Sequence, residues 1–478
     1  MRMNLFNNDK PTIIAMKKQF FLTLVLMMLV CVQAVCGQAK YVFYFIGDGM
    51  GINQVDVTEV YLSALKGGRG SASLLMTQFP VASMISTFSE DSDVTDSAAA
   101  GTALSTGQKT NNYYIGVDSK NNPLETVAEK AKKAGKKVGI TTTVQINHAT
   151  PAAFYAHQKD RNMYYEISQD LIRSGFDFFA GGGFINRDKL YDNTPAPDIY
   201  PLFEQAGYYI AKGYHDFKAN AGKSQKTILV HKNWEIPDGI PYAIDRTSED
   251  LSLKQITEAA IEALTKDNNK GFFLMLEGGR IDWSGHANDA ATTIKEVIDM
   301  DEAVQVAYEF YKKHPKETLI VITADHETGG LTAGKGAMRI NVLQHQKMSF
   351  EKLTGRISEL SASKNGDVSW EDMKNLLTEY LGFWKAIPIN WVNEKALRDA
   401  YEETFAPGRD ASANARNYSV ISTKAKQVMN DIAMLGWSTG GHSADFVPVF
   451  AIGAGQELFN AKMDNTEIPQ KIIKAARY

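Results

Sequence analysis

The residues able to do chemistry fall in a few short stretches of this chain. In Asp93-Val94-Thr95-Asp96-Ser97-Ala98-Ala99-Ala100-Gly101-Thr102-Ala103, a serine follows an acid and precedes a run of small residues. Ala98 to Ala103 reads as the opening turns of a tightly packed helix, after a strand over Val81 to Phe88. Ser97 is therefore expected at a helix N-terminus, where free backbone N–H groups and the dipole favour an anion. Two roles stand open for it: an N-cap, the commoner use of serine there, or a nucleophile.

Acids and imidazoles suited to metal occur elsewhere. Asp48 lies between glycines in Gly47-Asp48-Gly49-Met50-Gly51 and reads either as a helix cap or as a ligand. Glu277 ends the apolar run Phe272 to Leu276. Asp282 and His286 are four apart, so a helical turn puts them on one face, as a zinc pair or a surface contact. Asp325 and His326 are adjacent where the run from Thr318 to Ala324 stops, and His442 follows Gly441. Thr150 precedes Pro151 and is expected extended, with its hydroxyl free to enter a site. Arg161 offers a fork of donors that suits phosphate, although a lone arginine is more often in a surface ion pair.

What must position these residues is a series of strand and helix pairs. Tyr41 to Ile46, Lys137 to Thr143, Phe176 to Gly181, Gly271 to Glu277, Thr318 to Ala324 and Val447 to Ile452 read as strands, several apolar throughout, as in a parallel sheet covered on both faces. Helices are expected over Asn53 to Lys66, Thr126 to Ala134, Leu253 to Leu264, Ala291 to Tyr311 and Glu467 to Ala476. Asn186 to Thr247 reads as polar loop and short elements without chemistry. Asn365 to Ser369 lacks the acids of a calcium loop and reads as a turn before a helix. Most of the acids and histidines lie at or just past the C-terminal ends of strands, where α/β sheets bind ligands. Asp48, Ser97, Glu277, Asp282, His286, Asp325, His326 and His442 thereby become one cluster. His157, His215, His231, His314 and His345 have no such placement and read as solvated or satisfied residues.

The whole chain sets the bounds. Its 478 residues allow one large α/β domain with insertions, or two to three ordinary domains. The net charge of −4, with no basic run, argues against nucleic acid as a partner. Lys17-Lys18, the apolar run from Phe20 to Val32 and the small residues up to Gly37 read as a signal peptide over residues 1–37. The run is short for a membrane anchor, so no stable anchor is expected after cleavage. A lipoprotein reading at Cys36 is weaker, because Val35 is bulky. Both cysteines, Cys31 and Cys36, would leave with the segment. Loss of four basic residues and one acid would take the net charge from −4 to −7. The expected location is the bacterial periplasm or the exterior.

Six motifs in order carry a resemblance: Gly47-Asp48-Gly49-Met50-Gly51, Thr95-Asp96-Ser97-Ala98-Ala99, His148-Ala149-Thr150-Pro151-Ala152, Glu277-Gly278-Gly279-Arg280-Ile281-Asp282, Thr323-Ala324-Asp325-His326-Glu327-Thr328-Gly329-Gly330 and Gly441-His442. Together they resemble the alkaline phosphatase family of two-zinc, one-magnesium phosphomonoesterases. The resemblance implies a single large three-layer α/β domain over 38–478, with a central, mostly parallel sheet flanked by helices and a mainly helical insertion at about 338–434. It implies hydrolysis of phosphate monoesters through a phosphoserine on Ser97. Asp282, His286 and His442 would hold one zinc. Asp48, Asp325 and His326 would hold the other, with Ser97 as an exchangeable ligand. Asp48, Thr150 and Glu277 would hold magnesium, and Arg161 would clamp phosphate oxygens. His148 stands where an acid often sits near the magnesium, and Trp283 where a lysine often reaches phosphate. The resemblance also implies a homodimer, although no stretch displays a dimer face.

The rivals are a phosphodiesterase of the same superfamily and an exported metal- or phosphate-binding protein without turnover. Arg161 argues against the first, since it would contact an oxygen that a diester has esterified. The complete catalytic set argues against the second.

Overall fold

The structure, a computed structural model, describes residues 38–220, 222–235, 238–334, 338–405 and 414–478. The expected signal segment, residues 1–37, lies outside the described residues.

The strands are β1 (Tyr41–Ile46), β2 (Val81–Ser86), β3 (Lys137–Thr142), β4 (Phe178–Gly181), β5 (Tyr208–Lys212), β6 (Lys226–Val230), β7 (Phe272–Glu277), β8 (Thr318–Thr323), β9 (Glu327–Thr328), β10 (Leu331–Ala333), β11 (Leu435–Trp437), β12 (His442–Ser443), β13 (Val447–Gly453) and β14 (Met463–Asp464). A ten-stranded sheet runs β14-β2-β13-β8-β1-β7-β3-β4-β6-β5. Only the pairings of β13, with β2 and with β8, are antiparallel. The middle strands β7 and β8 are buried at every residue, so helices cover both faces, as their unbroken apolar runs require. Ile46 pairs with both Glu277 and Thr323, and Thr142 with Glu277. The C-terminal ends of four central strands therefore stop level, and the residues just beyond them share one edge.

The helices that matter for that edge are α1 (Ile52–Leu65), α2 (Ser97–Thr106), α3 (Arg280–His286), α4 (Ala290–Lys313), α5 (Phe350–Ser363), α6 (Trp370–Leu381), α7 (Trp391–Thr404) and α8 (Asn414–Ala433). The main core fills the space around the large sheet. A second core joins α5 to α8 with α1 and the first turn of α4, through Val57, Tyr61, Ala290 and Ile294.

One expectation is made more specific and one is corrected. The stretch from Asn186 to Thr247 contains β5 and β6, which complete one end of the sheet, and helices at Ile199–Gln205 and Tyr214–Asn220. Both strands have five residues and begin or end on lysine, so each apolar run is too short to stand out. Thr150 is not extended; it lies in the short helix Ala149–Ala152. Pro151 is tolerated in that first turn because its missing N–H has no intrahelical acceptor there.

Candidate active site

α2 begins at Ser97, and its cap is the preceding acid: Asp96 Oδ1 accepts the N–H of Ala99 at 2.9 Å. The cap is thus supplied without Ser97, whose buried Oγ stands 3.2 Å from Nε2 of His326. The other oxygen of Asp96 accepts from Arg161 Nη1 at 3.0 Å and from the N–H of Tyr113 at 3.1 Å. One carboxylate therefore fixes both the helix that presents Ser97 and the guanidinium beside it. Its charge raises the pKa of Arg161 against the opposing effect of burial. Tyr113 holds a left-handed φ of 73°, and its carbonyl accepts the backbone N–H of Arg161 at 2.8 Å.

Two clusters of potential ligands lie against each other. In the first, His286 Nε2 is 3.3 Å and His442 Nε2 3.6 Å from Asp282 Oδ1, with 3.2 Å between the imidazole nitrogens. In the second, His326 Nε2 is 3.5 Å from Asp48 Oδ1 and 3.3 Å from Asp325 Oδ2. The rings of His326 and His442 stack at 3.5 Å, which makes the two clusters neighbours. A third group comprises Asp48, His148 and Glu277. Beside it, Thr150 Oγ1 is 3.4 Å from Asp48 Oδ2 and 3.5 Å from Asp325 Oδ2.

The donor set fits metal ions. His286 Nδ1 faces Gly440 O at 2.7 Å, and His442 Nδ1 faces Thr95 O at 2.8 Å. A carbonyl only accepts, so in the neutral form of each ring Nδ1 carries the proton and Nε2 the lone pair. Two such lone pairs 3.2 Å apart, with a carboxylate, suit a shared cation. Ligands about 2.0–2.1 Å from a tetrahedral zinc stand roughly 3.3 Å from one another, which matches the edges of both clusters. In the third group Asp48 Oδ1, Glu277 Oε1 and His148 Nδ1 are covered and have no hydrogen-bond partner. Two carboxylates and one imidazole, with the Thr150 hydroxyl beside them, make a mostly oxygen donor set that suits a harder cation.

Burial, reinforced by the neighbouring carboxylates, pushes Asp48 well above the usual carboxylate range. Burial raises Asp325 and pushes Glu277 up to about 8, although Thr142 donates to Glu277. Burial holds His326 well below its ordinary value. Burial and Arg161 pull His148 down to about 3, so it is neutral. Cations lodged among these groups would favour the charged carboxylates and leave the imidazoles as ligands.

The structure brings together every residue singled out from the sequence. Trp283 lies at the edge, its ring edge-on to His148 at 6.0 Å and under the guanidinium of Arg280 at 4.4 Å. Arg161 Nη2 lies 3.4 Å from His148 Nε2. Of the other histidines, His157 bonds to Gly116 O and Glu129, and His231 to Asp250.

Three supporting residues were missed. In the sequence Asp96 reads only as a neighbour of Ser97. Thr328 Oγ1 donates to Asp282 Oδ1 at 2.5 Å and lies 3.2 Å from His326 Nδ1, joining a residue of each cluster. Buried Glu327 accepts from Gln54 at 2.6 Å, Ser443 at 2.5 Å and the N–H groups of Gly330 and Leu331. It thereby ties β9 to β12, the antiparallel pair in which His442 faces Thr328.

The comparisons with known proteins agree with this geometry. The alkaline phosphatase family profile matches residues 39–178 and 202–478. Alkaline phosphatase 3 of Bacillus subtilis (strain 168) is 33% identical over 92% of this chain and 90% of its own. The cold-active alkaline phosphatase of the psychrophile Shewanella sp. superposes with a TM-score of 0.75 at 27% identity, over 91% of this chain and 99% of that one. A TAB5 alkaline phosphatase variant with magnesium bound in its M3 site gives 0.65 at 30% identity, over 93% and 99%. The chain belongs to the alkaline phosphatase family, enzymes that depend on metal and hydrolyse phosphate monoesters.

Proposed function

We propose that this enzyme works through a phosphoserine on Ser97. The serine oxygen forms a bond to phosphorus while the bond to the leaving oxygen breaks, and the alcohol departs with a proton. Water then forms the next bond to phosphorus, the bond to Ser97 Oγ breaks, and inorganic phosphate leaves. The observation that carries this reading is Ser97 Oγ, freed from capping by Asp96 and set 3.2 Å from His326 Nε2, with Arg161 held by the same Asp96.

In this reading Asp282, His286 and His442 hold one zinc, and Asp48, Asp325 and His326, with Ser97, hold the other. Asp48, Thr150 and Glu277 hold magnesium, with the His148 nitrogen close by. When bound, the ions lower the pKa of the serine hydroxyl and offset charge on the reacting oxygens. Arg161 binds two phosphoryl oxygens with its forked donors, and the N-terminus of α2 faces the same charge. His148 and Trp283 border the phosphate position from the side of Arg161. A diester would place an esterified oxygen against Arg161 and lose a charged contact, so monoesters are the substrates.

The test is hydrolysis of p-nitrophenyl phosphate by the protein from residue 38 onward, chelated and then restored with zinc and magnesium. Activity that disappears and returns is expected. A fully metallated protein without monoesterase activity would overturn the reading. We further propose that residues 1–37 direct export to the periplasm and are then removed, which N-terminal sequencing of the exported protein checks.

A further inference from the structure

We propose that the helical segment between β10 and β11 caps the ligand-bearing helix α3 from outside and so sets how firmly the first ion is held. Lys426 and Asn430 of α8 are its positioning residues. The proposal rests on the assignment of Asp282, His286 and His442 to that ion.

α3 has seven residues, too few to be stable alone, yet it carries two ligands of one cluster. Its start is tied to the main domain: the N–H of Arg280 donates to Thr143 Oγ1 at 3.0 Å, and its Nε to Ile240 O at 2.9 Å. Its end is held differently. Ala287 O accepts from Lys426 Nζ, and Asn288 O accepts from Asn430 Nδ2 at 2.9 Å. Asp289, next in the chain, accepts from Gln346 Nε2 at 2.8 Å and from the N–H of Phe350 at 2.9 Å. All four donors come from the helical segment, 57 to 142 residues away in sequence.

The last carbonyls of a helix lack intrahelical partners, and a cation there also suits the dipole. The chain leaves α3 through Asn288 at a left-handed φ of 51°, so the exit geometry is specific. His286 depends on it most. Its side chain is 40% exposed, against 15% for His442 and 6% for Asp282, so little packing holds it from the sides. α8 is itself anchored in the second core through Ile421, Ala425, Val428 and Met429. The two carbonyl caps thus transmit the position of a separate helical layer to one ligand.

The experiment measures zinc release from the full protein into a chromogenic chelator. In a Lys426→Ala, Asn430→Ala variant, one zinc equivalent is expected to leave about 10-fold faster or more, while the other keeps its wild-type rate. Lys426→Arg should retain the wild-type rate, because arginine can still cap the carbonyl. Lys395→Ala, on the exposed face of α7, should change neither phase. Unchanged release in the double variant would overturn the proposal. So would acceleration of both equivalents together with a lower melting temperature of the metal-free protein, the mark of a merely structural role. His286→Ala separates the two readings. If it binds one ion fewer while the double variant behaves as wild type, only the capping proposal fails. If it binds the full complement, the ligand assignment fails, and the proposal with it.

Discussion

Asp96 shows how much one side chain can decide. It caps α2, meets Arg161 at 3.0 Å and accepts the N–H of Tyr113 at 3.1 Å. Asparagine caps helices about as well as aspartate, so Asp96→Asn should keep α2, and its stability cost, about 1–3 kcal/mol, should come from the charge lost beside the buried Arg161 guanidinium. It removes the charge that holds Arg161, and KM for a monoester should rise about 10-fold. Steady-state kinetics and a denaturant titration on the same variant check both halves. Arg161→Ala removes the clamp itself and should lower kcat/KM roughly 10²-fold. The acids and imidazoles that the structure gathers were legible at this scale where they sit in a short local pattern: Asp48 between glycines, and Asp282 four residues before His286. Asp96 and Thr328 were not, because the partners that define them, Arg161 and Asp282, lie 65 and 46 residues away.

Elements read well where the periodicity was long. β1, β7, β8 and the terminal helix Glu467–Ala476 lie where the apolar pattern puts them. β5 and β6 were lost because a five-residue strand at the end of a sheet leaves almost no period to detect. Thr150 failed for a different reason: the rule for residues before proline is a preference, and the first turn of a helix can override it. The β9–β12 pair was illegible, since two-residue strands carry no pattern and Glu327 meets Ser443 across 116 residues. That pair gives a prediction at its own scale. Glu327→Leu leaves the donors of Gln54, Ser443, Gly330 and Leu331 without their buried acceptor. It should cost about 3 kcal/mol of stability, read as a lower urea midpoint. Ser443→Ala removes one of those bonds and should cost about 1 kcal/mol.

At the scale of the molecule, the level ends of the central strands turn residues from 48 to 442 into one buried, acid-rich site. Gathering those acids has a cost that depends on pH. A free glutamate titrates near 4.5, whereas burial pushes Glu277 to about 8. Between these values the folded, metal-free protein keeps a proton that the unfolded chain has released. The contribution is therefore most favourable below about pH 4.5 and is lost as pH rises toward about 8. Asp48 and Asp325 act in the same direction. Burial keeps His148 and His326 neutral, which opposes this only below about pH 6.5, so the metal-free protein should show a lower urea midpoint at about pH 8 than at about pH 6.5, and the zinc- and magnesium-loaded protein should largely lose that fall. The order of motifs announced the sheet and the site, but the caps that α8 places on α3 join residues 139 and 142 apart and had no local signal. The central claim, a phosphoryl group carried on Ser97, is tested most directly by quenching the metallated enzyme in acid during turnover and mapping the trapped phosphate by mass spectrometry. One phosphoryl group on the peptide containing Ser97, absent in Ser97→Ala along with nearly all turnover, is the predicted result; full turnover in Ser97→Ala, or phosphate trapped on a different residue, would contradict it.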